Sequence, residues 1–181
     1  MTNKTEPCGI ILFGPNGSGK TTTGRELARI LGFKHIDIED YAFLESEIPY
    51  SKPRPREEVV QLLQADITEY REFVFSTVMG NWGDIMPGYY KLAVRINAPY
   101  ELRMKRIKQR SLDKYGERVL TGGDMYEQER GFFEFVKTRP ISKIDEWEKT
   151  LTCPIIEIDG TESLRANVDY IVKVFEDCKT M

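Results

Sequence analysis

The chain has 181 residues, of which 40% are hydrophobic and 30% charged, and its formal net charge is −3. That length predicts a single domain over 1–181 with room for a sizeable core. The charge indicates no general attraction to nucleic acid or anionic lipid, and no apolar run approaches the length a bilayer requires.

In chain order, Met1–Pro7 lacks the apolar stretch of a secretory signal. Cys8, Cys153 and Cys178 are widely spaced and form no C-x-x-C pair. Neither a zinc site nor a disulfide framework is expected, and reduced thiols in a cytoplasmic protein are the simplest account.

Gly9-Ile10-Ile11-Leu12-Phe13 reads as a buried strand, and Thr22 to Leu31 reads as a helix. Between them stands Gly14-Pro15-Asn16-Gly17-Ser18-Gly19-Lys20-Thr21, which matches G-x-x-x-x-G-K-[ST] at every fixed position. Such a loop turns backbone N–H groups toward phosphate oxygens, and the helix start adds a favourable dipole. Lys20 supplies positive charge to the β- and γ-phosphates, and Thr21 offers a hydroxyl to Mg²⁺. Gly14 through Thr21, with Thr22, are therefore the expected nucleotide-binding residues, and ATP with Mg²⁺ is the expected ligand.

Phe33 to Asp37 reads as a second short strand, closed by Asp37, Glu39 and Asp40. Period-2 spacing predicts that Asp37 and Glu39 share one side. Asp37 is the candidate for the metal side and for catalysis. Glu39 is the candidate for the acceptor hydroxyl. The alternative for these acids is a helix N-terminus near Tyr41. The stretch Tyr41 to Arg56 contains Pro49, Pro53 and Pro55 and reads as a mobile excursion. A substrate-binding region is expected over about 41–70. Pro55 opens a helix whose apolar face carries Val59, Leu62, Leu63 and Ile67. Arg54 and Arg56 lie at its start, an unfavourable dipole position for arginine, and are candidates for gripping an anionic substrate.

Glu72–Thr77, Tyr90–Ile96 and Pro154–Ile158 read as the third, fourth and fifth strands. Strands alternating with helices predict an α/β fold with a parallel sheet and a site at the strand C-termini. The segment 95–118 holds eight basic residues against three acidic ones, a local charge of +5. If Pro99 opens a helix, Arg103, Arg106 and Arg110 fall within an arc of about 60° beside the core, where guanidiniums can reach phosphates. Arg130 and Arg139 are further candidates. Ser111 to Asp124, with three glycines, reads as a second flap, and a lid is expected over about 103–140. His35, Trp82 and Trp147 are expected to be structural. The last helix carries Leu164, Val168, Ile171, Val172 and Phe175 on one face, with Thr161 as its cap.

The loop, the acidic strand end and the arginine helix together resemble the P-loop small-molecule kinases: nucleoside monophosphate, shikimate and gluconate kinases. Ile36-Asp37-Ile38-Glu39 resembles the acidic end of their second strand. Arg106 and Arg110 resemble their lid pair, and Ile158-Asp159-Gly160-Thr161 resembles the loop beside the adenine ring. The resemblance implies a three-layer α/β/α fold with sheet order 2-3-1-4-5 and a helical lid. It also implies adenine contacts from Asp159, Gly160 and Thr161, and catalysis by Lys20, Asp37, Arg106 and Arg110. Glu39, Arg54, Arg56 and Arg139 are the substrate candidates. Gly122-Gly123-Asp124-Met125-Tyr126-Glu127 is similar to a stretch of bacterial proteins classed as AAA-type ATP-binding proteins.

The Asp-Gly-Phe-Pro-Arg motif of adenylate kinases is absent, and Ser76–Gly83 occupies its place. The expected function is γ-phosphoryl transfer from ATP·Mg²⁺ to a small-molecule acceptor. The alternative is an ATP-binding or ATP-hydrolysing regulatory protein with no acceptor. Third and fourth strands ending in Ser76-Thr77 and Ile96-Asn97 lack the acidic end of a motor or switch. Partners are thus ATP and a small molecule, without nucleic acid or membrane.

Overall fold

A computed structural model of the chain describes residues 6–83 and 86–179. Five strands, β1 (Cys8–Phe13), β2 (Lys34–Asp37), β3 (Glu72–Ser76), β4 (Tyr90–Asn97) and β5 (Ile155–Asp159), form one sheet in the order β2-β3-β1-β4-β5. Every neighbouring pair is parallel. The connecting helices are α1 (Lys20–Leu31), α2 (Ile38–Ala42), α3 (Arg56–Tyr70), α4 (Tyr100–Tyr115), α5 (Tyr126–Thr138), α6 (Ser142–Glu148) and α7 (Leu164–Lys179). The sheet has the order that the kinase resemblance implied.

Strand pleating explains the layers. Side chains alternate between faces, so β1 sends Ile10 and Leu12 to one core and Ile11 and Phe13 to the other. The first core packs α1 and α7 through Leu27, Val168, Ile171 and Phe175. The second packs α3 and α6 through Val59, Leu63, Ile67 and Ile144. Strands buried on both faces need continuous apolar runs, which is what Ile10–Phe13 and Phe73–Phe75 supply. With β1 flanked by β3 and β4, the chain reverses its winding beside β1. The crevice at that end of the sheet therefore opens next to the 14–21 loop.

Several local expectations are corrected. The buried stripe of α3 is narrower than predicted: Leu62 is 38% exposed, and burial follows Val59, Leu63 and Ile67 at strict i, i+4 spacing. Leu164 is likewise exposed. Ser163, not Thr161, caps α7, since its hydroxyl accepts the Ala166 amide at 3.1 Å. The second flap is partly helix: α4 runs on through Ser111 to Tyr115 and stops at Gly116, whose φ is 57°. Ser111 is held there because its side chain is buried against α5. His35 ties β2 to β3 through Ser76 Oγ at 3.0 Å. Trp147 stacks edge-on against Phe13, 5.0 Å between ring centres.

Candidate functional site

The 14–21 loop joins β1 to α1 and is shaped by its contacts. Gly17 has a φ of +79°, and a Cβ there would sit 2.6 Å from the Arg103 carbonyl oxygen. The loop backbone therefore lies directly on α4, and a side chain at this position would push the two apart. The Ser18 amide donates to Pro15 O at 3.3 Å, which curls the loop. No side chain caps α1, so its first amides are left for an incoming anion. Ser18 Oγ is fully buried without a protein partner. Lys20 Nζ donates back to Pro15 O at 2.8 Å. Burial lowers the Lys20 ammonium to about 8, with the Glu39 and Asp37 carboxylates opposing that shift.

The three arginines of α4 do three different things. Arg106 lines the cavity and bridges two loops, donating to Gly160 O at 2.9 Å and to Ser18 O at 3.5 Å. Arg110, one turn further, is exposed and lines the cavity. Arg103, expected to share this task, is instead buried behind the loop, where it donates to Asn16 O and Ala98 O. Its backbone lies against Gly17, and its guanidinium reaches the Asn16 carbonyl of the same loop. Arg139 reaches Asn16 Oδ1 at 3.4 Å and lies over the Phe135 ring, bracing the loop from outside the cavity.

Other candidates stand apart. Arg54 pairs with Glu58 and donates to Tyr41 O at 2.9 Å. Arg56 donates to Asn81 O and lies over Trp82. Neither lines the clefts described here. The favourable i, i+4 partner Glu58 gives Arg54 a local role that its position at a helix start concealed. Arg130 pairs with Glu127 on the surface of α5. In the loop after β5, Gly160 lines the cavity, whereas the Asp159 carboxylate turns back to accept the Thr161 amide at 2.8 Å.

The acidic pair converges by a route other than strand spacing. Asp37 ends β2, is 8% exposed, and accepts the Glu39 amide at 3.1 Å as the cap of α2. Glu39 therefore sits on the first turn of α2, yet both side chains face the same space. Burial, with Asp37 adding repulsion, raises the Glu39 carboxyl above its ordinary range.

Two cavities of about 460 Å³ each meet at this point. The first is floored by the 14–21 loop and bounded by Arg106, Gly160 and Asn167. The second lies between α2, the 43–55 loop, α4 and α5. Thr21, Thr22, Asp37, Glu39 and Arg110 line both. The second cavity is closed by hydrogen bonds between the excursion and the lid. Gln128 donates to Pro49 O at 2.7 Å, Arg118 to Glu47 O at 3.1 Å, and Lys114 to the Tyr50 hydroxyl at 3.2 Å. Tyr50 carries a φ of 62°, uncommon for a residue with a side chain.

Sequence reasoning missed Tyr50, Lys114, Tyr115, Gln128, Glu129 and Phe132 in this wall. The signal available was the interruption of the basic run by Ser111, which follows Arg103 and Ile107 on the buried side of α4.

A family model described as an AAA domain matches residues 10–130. YqaC of Bacillus subtilis, a name that states no activity, is 29% identical over 171 residues, covering 90% of this chain and 94% of the relative. A Pyrococcus furiosus protein named only provisionally as an adenylate kinase is 31% identical over 156 residues, covering 84% of this chain and 74% of the relative. Among solved structures, a shikimate kinase from Acinetobacter baumannii in complex with shikimate superposes with a TM-score of 0.58 at 21% identity. That match covers 98% of this chain and 97% of the other, and it speaks for the fold.

Proposed function

The chain belongs to the AAA domain family of P-loop small-molecule kinases, and we propose that it moves the γ-phosphoryl group of ATP to a small hydroxyl-bearing acceptor. One observation carries this reading: two cavities of equal size share the edge formed by Thr21, Thr22, Asp37, Glu39 and Arg110. A nucleotide hydrolase needs one such space. A transferase needs two, with the transferred group passing between them.

In this reading the loop amides and Lys20 hold the β- and γ-phosphates in the first cavity. Arg106 stands beside the loop and Arg110 at the shared edge, where negative charge builds up during transfer. The acceptor oxygen forms the new bond to the γ-phosphorus as the bond to the β–γ bridging oxygen breaks, leaving ADP. The acceptor proton passes to Glu39, whose raised pKa suits a proton acceptor.

Thr21 and Asp37 would hold Mg²⁺, which when bound neutralises phosphate charge. The donor set fits that ion: a hydroxyl and a carboxylate are hard oxygen donors, and Thr21 and Asp37 both line the first cavity. Mg²⁺ retains waters and substrate oxygens and so asks for few protein ligands.

The reading is tested by ³¹P spectroscopy of ATP consumption with a panel of alcohols. A new phosphomonoester signal is expected, and ADP with inorganic phosphate as the sole products would overturn it. Arg110→Ala is expected to lower kcat by about 10²-fold or more with the ATP Kd nearly unchanged. A variant with weaker ATP binding at unchanged kcat would move Arg110 out of the transition state.

Proton linkage gives a further expectation. Without nucleotide, Lys20 loses its proton near pH 8, whereas in the unfolded chain it does so near 10.5. Burying the cation costs stability below that window, so the nucleotide-free fold gains stability as pH rises from about 8 to about 10. A triphosphate beside the amine reverses the shift. ATP binding is therefore expected to take up a proton at about pH 9 and much less at about pH 7, read by calorimetry in buffers of different ionisation enthalpy. Identical buffer dependence at both pH values would count against Lys20 as the phosphate ligand.

A further inference from the structure

The second cavity has a wall chemistry that restricts what it accepts. Four aromatic side chains, Phe43, Tyr50, Tyr115 and Phe132, line it, with Phe43 and Tyr50 packed edge to face at 5.3 Å between ring centres. Aromatic walls favour a flat ring, which they can sandwich or meet at an edge. The volume of about 460 Å³ lies in the usual range for small-molecule sites.

Charge in this cavity is mixed in sign. Its cations, Arg25, Arg110 and Lys114, belong to exposed residues, and Arg110 stands at the edge shared with the first cavity. Lys114 is also engaged by the Tyr50 hydroxyl. The buried charges are carboxylates: Glu129 is 7% exposed and Asp37 8%. Glu39, half-buried, adds a third acid on the inner side.

Glu129 has Ser111 Oγ donating to Oε2 at 2.5 Å, and no lysine or arginine among the described residues pairs with it. A carboxylate this deep is costly unless donors satisfy it, and one hydroxyl fills only part of its capacity. The Tyr115 hydroxyl, buried nearby, has the Lys114 ammonium alongside it as a donor. Glu129 is left with capacity for an N–H donor. An acceptor bearing phosphate or carboxylate would instead bring its own negative charge against Glu129 and Glu39 in a low-dielectric space.

We propose that the acceptor is an uncharged, nucleoside-like alcohol: a planar ring carrying an N–H donor for Glu129, held between Tyr50, Tyr115 and Phe132, with a free hydroxyl toward Glu39. The proposal rests on the kinase reading and narrows its substrate to the non-anionic class.

The test compares adenosine and cytidine with their 5′-monophosphates and with shikimate, at fixed Mg²⁺ and ATP. ADP release is the rate, and ³¹P spectra identify the product. At least one nucleoside is expected to be phosphorylated with a kcat/KM about tenfold or more above that of its monophosphate. Glu129→Gln keeps the acceptor oxygen for Ser111 and removes the charge. It is expected to narrow that ratio, a change that simple loss of stability would not produce. If this variant fails to fold, the wild-type ratio decides alone.

Preference for a monophosphate or for shikimate would overturn the proposal while leaving the kinase reading intact. So would a panel in which no nucleoside stimulates ADP release although ATP binds. Absence of ATP binding in calorimetry would strike the kinase reading itself.

Discussion

Lys20→Ala is expected to lower kcat by about 10³-fold, in the range seen when a preorganised charge is removed from a phosphoryl-transfer site. The fold should survive, because this ammonium contributes little to the core. It is half-buried, its pKa is depressed to about 8, and its hydrogen bond is to Pro15 O in the loop itself. Removing such a cation relieves a desolvation penalty, so the melting temperature of the nucleotide-free variant should be unchanged or raised. Lys20→Met preserves most of the volume and should behave alike in both respects. The diagnostic comparison is the ATP-induced rise in melting temperature, present in the parent chain and absent in both variants. Retained turnover in either would show that the phosphates lie elsewhere.

Gly17→Ala tests the opposite side of the loop and should cost both stability and activity. Its Cβ would lie 2.6 Å from Arg103 O and 3.1 Å from Arg103 Cα, both backbone atoms that cannot swing aside. Either the loop or α4 must shift, and α4 carries Arg106 and Arg110. Displacement by a fraction of an ångström misplaces several phosphate contacts together, so kcat/KM should fall by about 10²-fold. Stability should fall by about 1–3 kcal/mol from the strained left-handed backbone and the clash. Gly19→Ala is the control: its φ is also positive, at 111°, but a Cβ there meets nothing within 4 Å. Denaturant unfolding should therefore place Gly17→Ala below Gly19→Ala. Equal losses would mean that contact with α4 is not what fixes the loop.

What the sequence disclosed and what it concealed divide along physical lines. The loop was legible because its chemistry is local: eight consecutive residues between an apolar run and a helix. The strands were legible because burial on both faces leaves unbroken apolar stretches such as Phe73-Val74-Phe75. Pairings across distance were not. Ser111 and Glu129 look like surface residues in sequence, and only the packing of α4 on α5 buries them together. The basic run from 95 to 118 was read as one feature, yet Arg95 belongs to an ion pair with Asp145 and Glu148 of α6. Arg103 belongs to the rear of the loop, and Lys114 to Tyr50. Charge counting sees a sum, whereas the fold assigns each cation a separate neighbour. Asp37 and Glu39 face common space as expected, but through a helix cap that strand periodicity does not describe.

The walls of the second cavity come from the start of α1, from α2, the 43–55 loop and the α4–α5 region, and β1–β5 contribute only Asp37 to it. Phe43, Tyr50, Tyr115, Gln128, Glu129 and Phe132 line the second cavity and not the first. On the proposed reading, changes at these six positions would retarget the protein to a different alcohol without disturbing how it grips its phosphoryl donor. Descendants of one ancestral scaffold could thus diverge in diet while keeping the same engine.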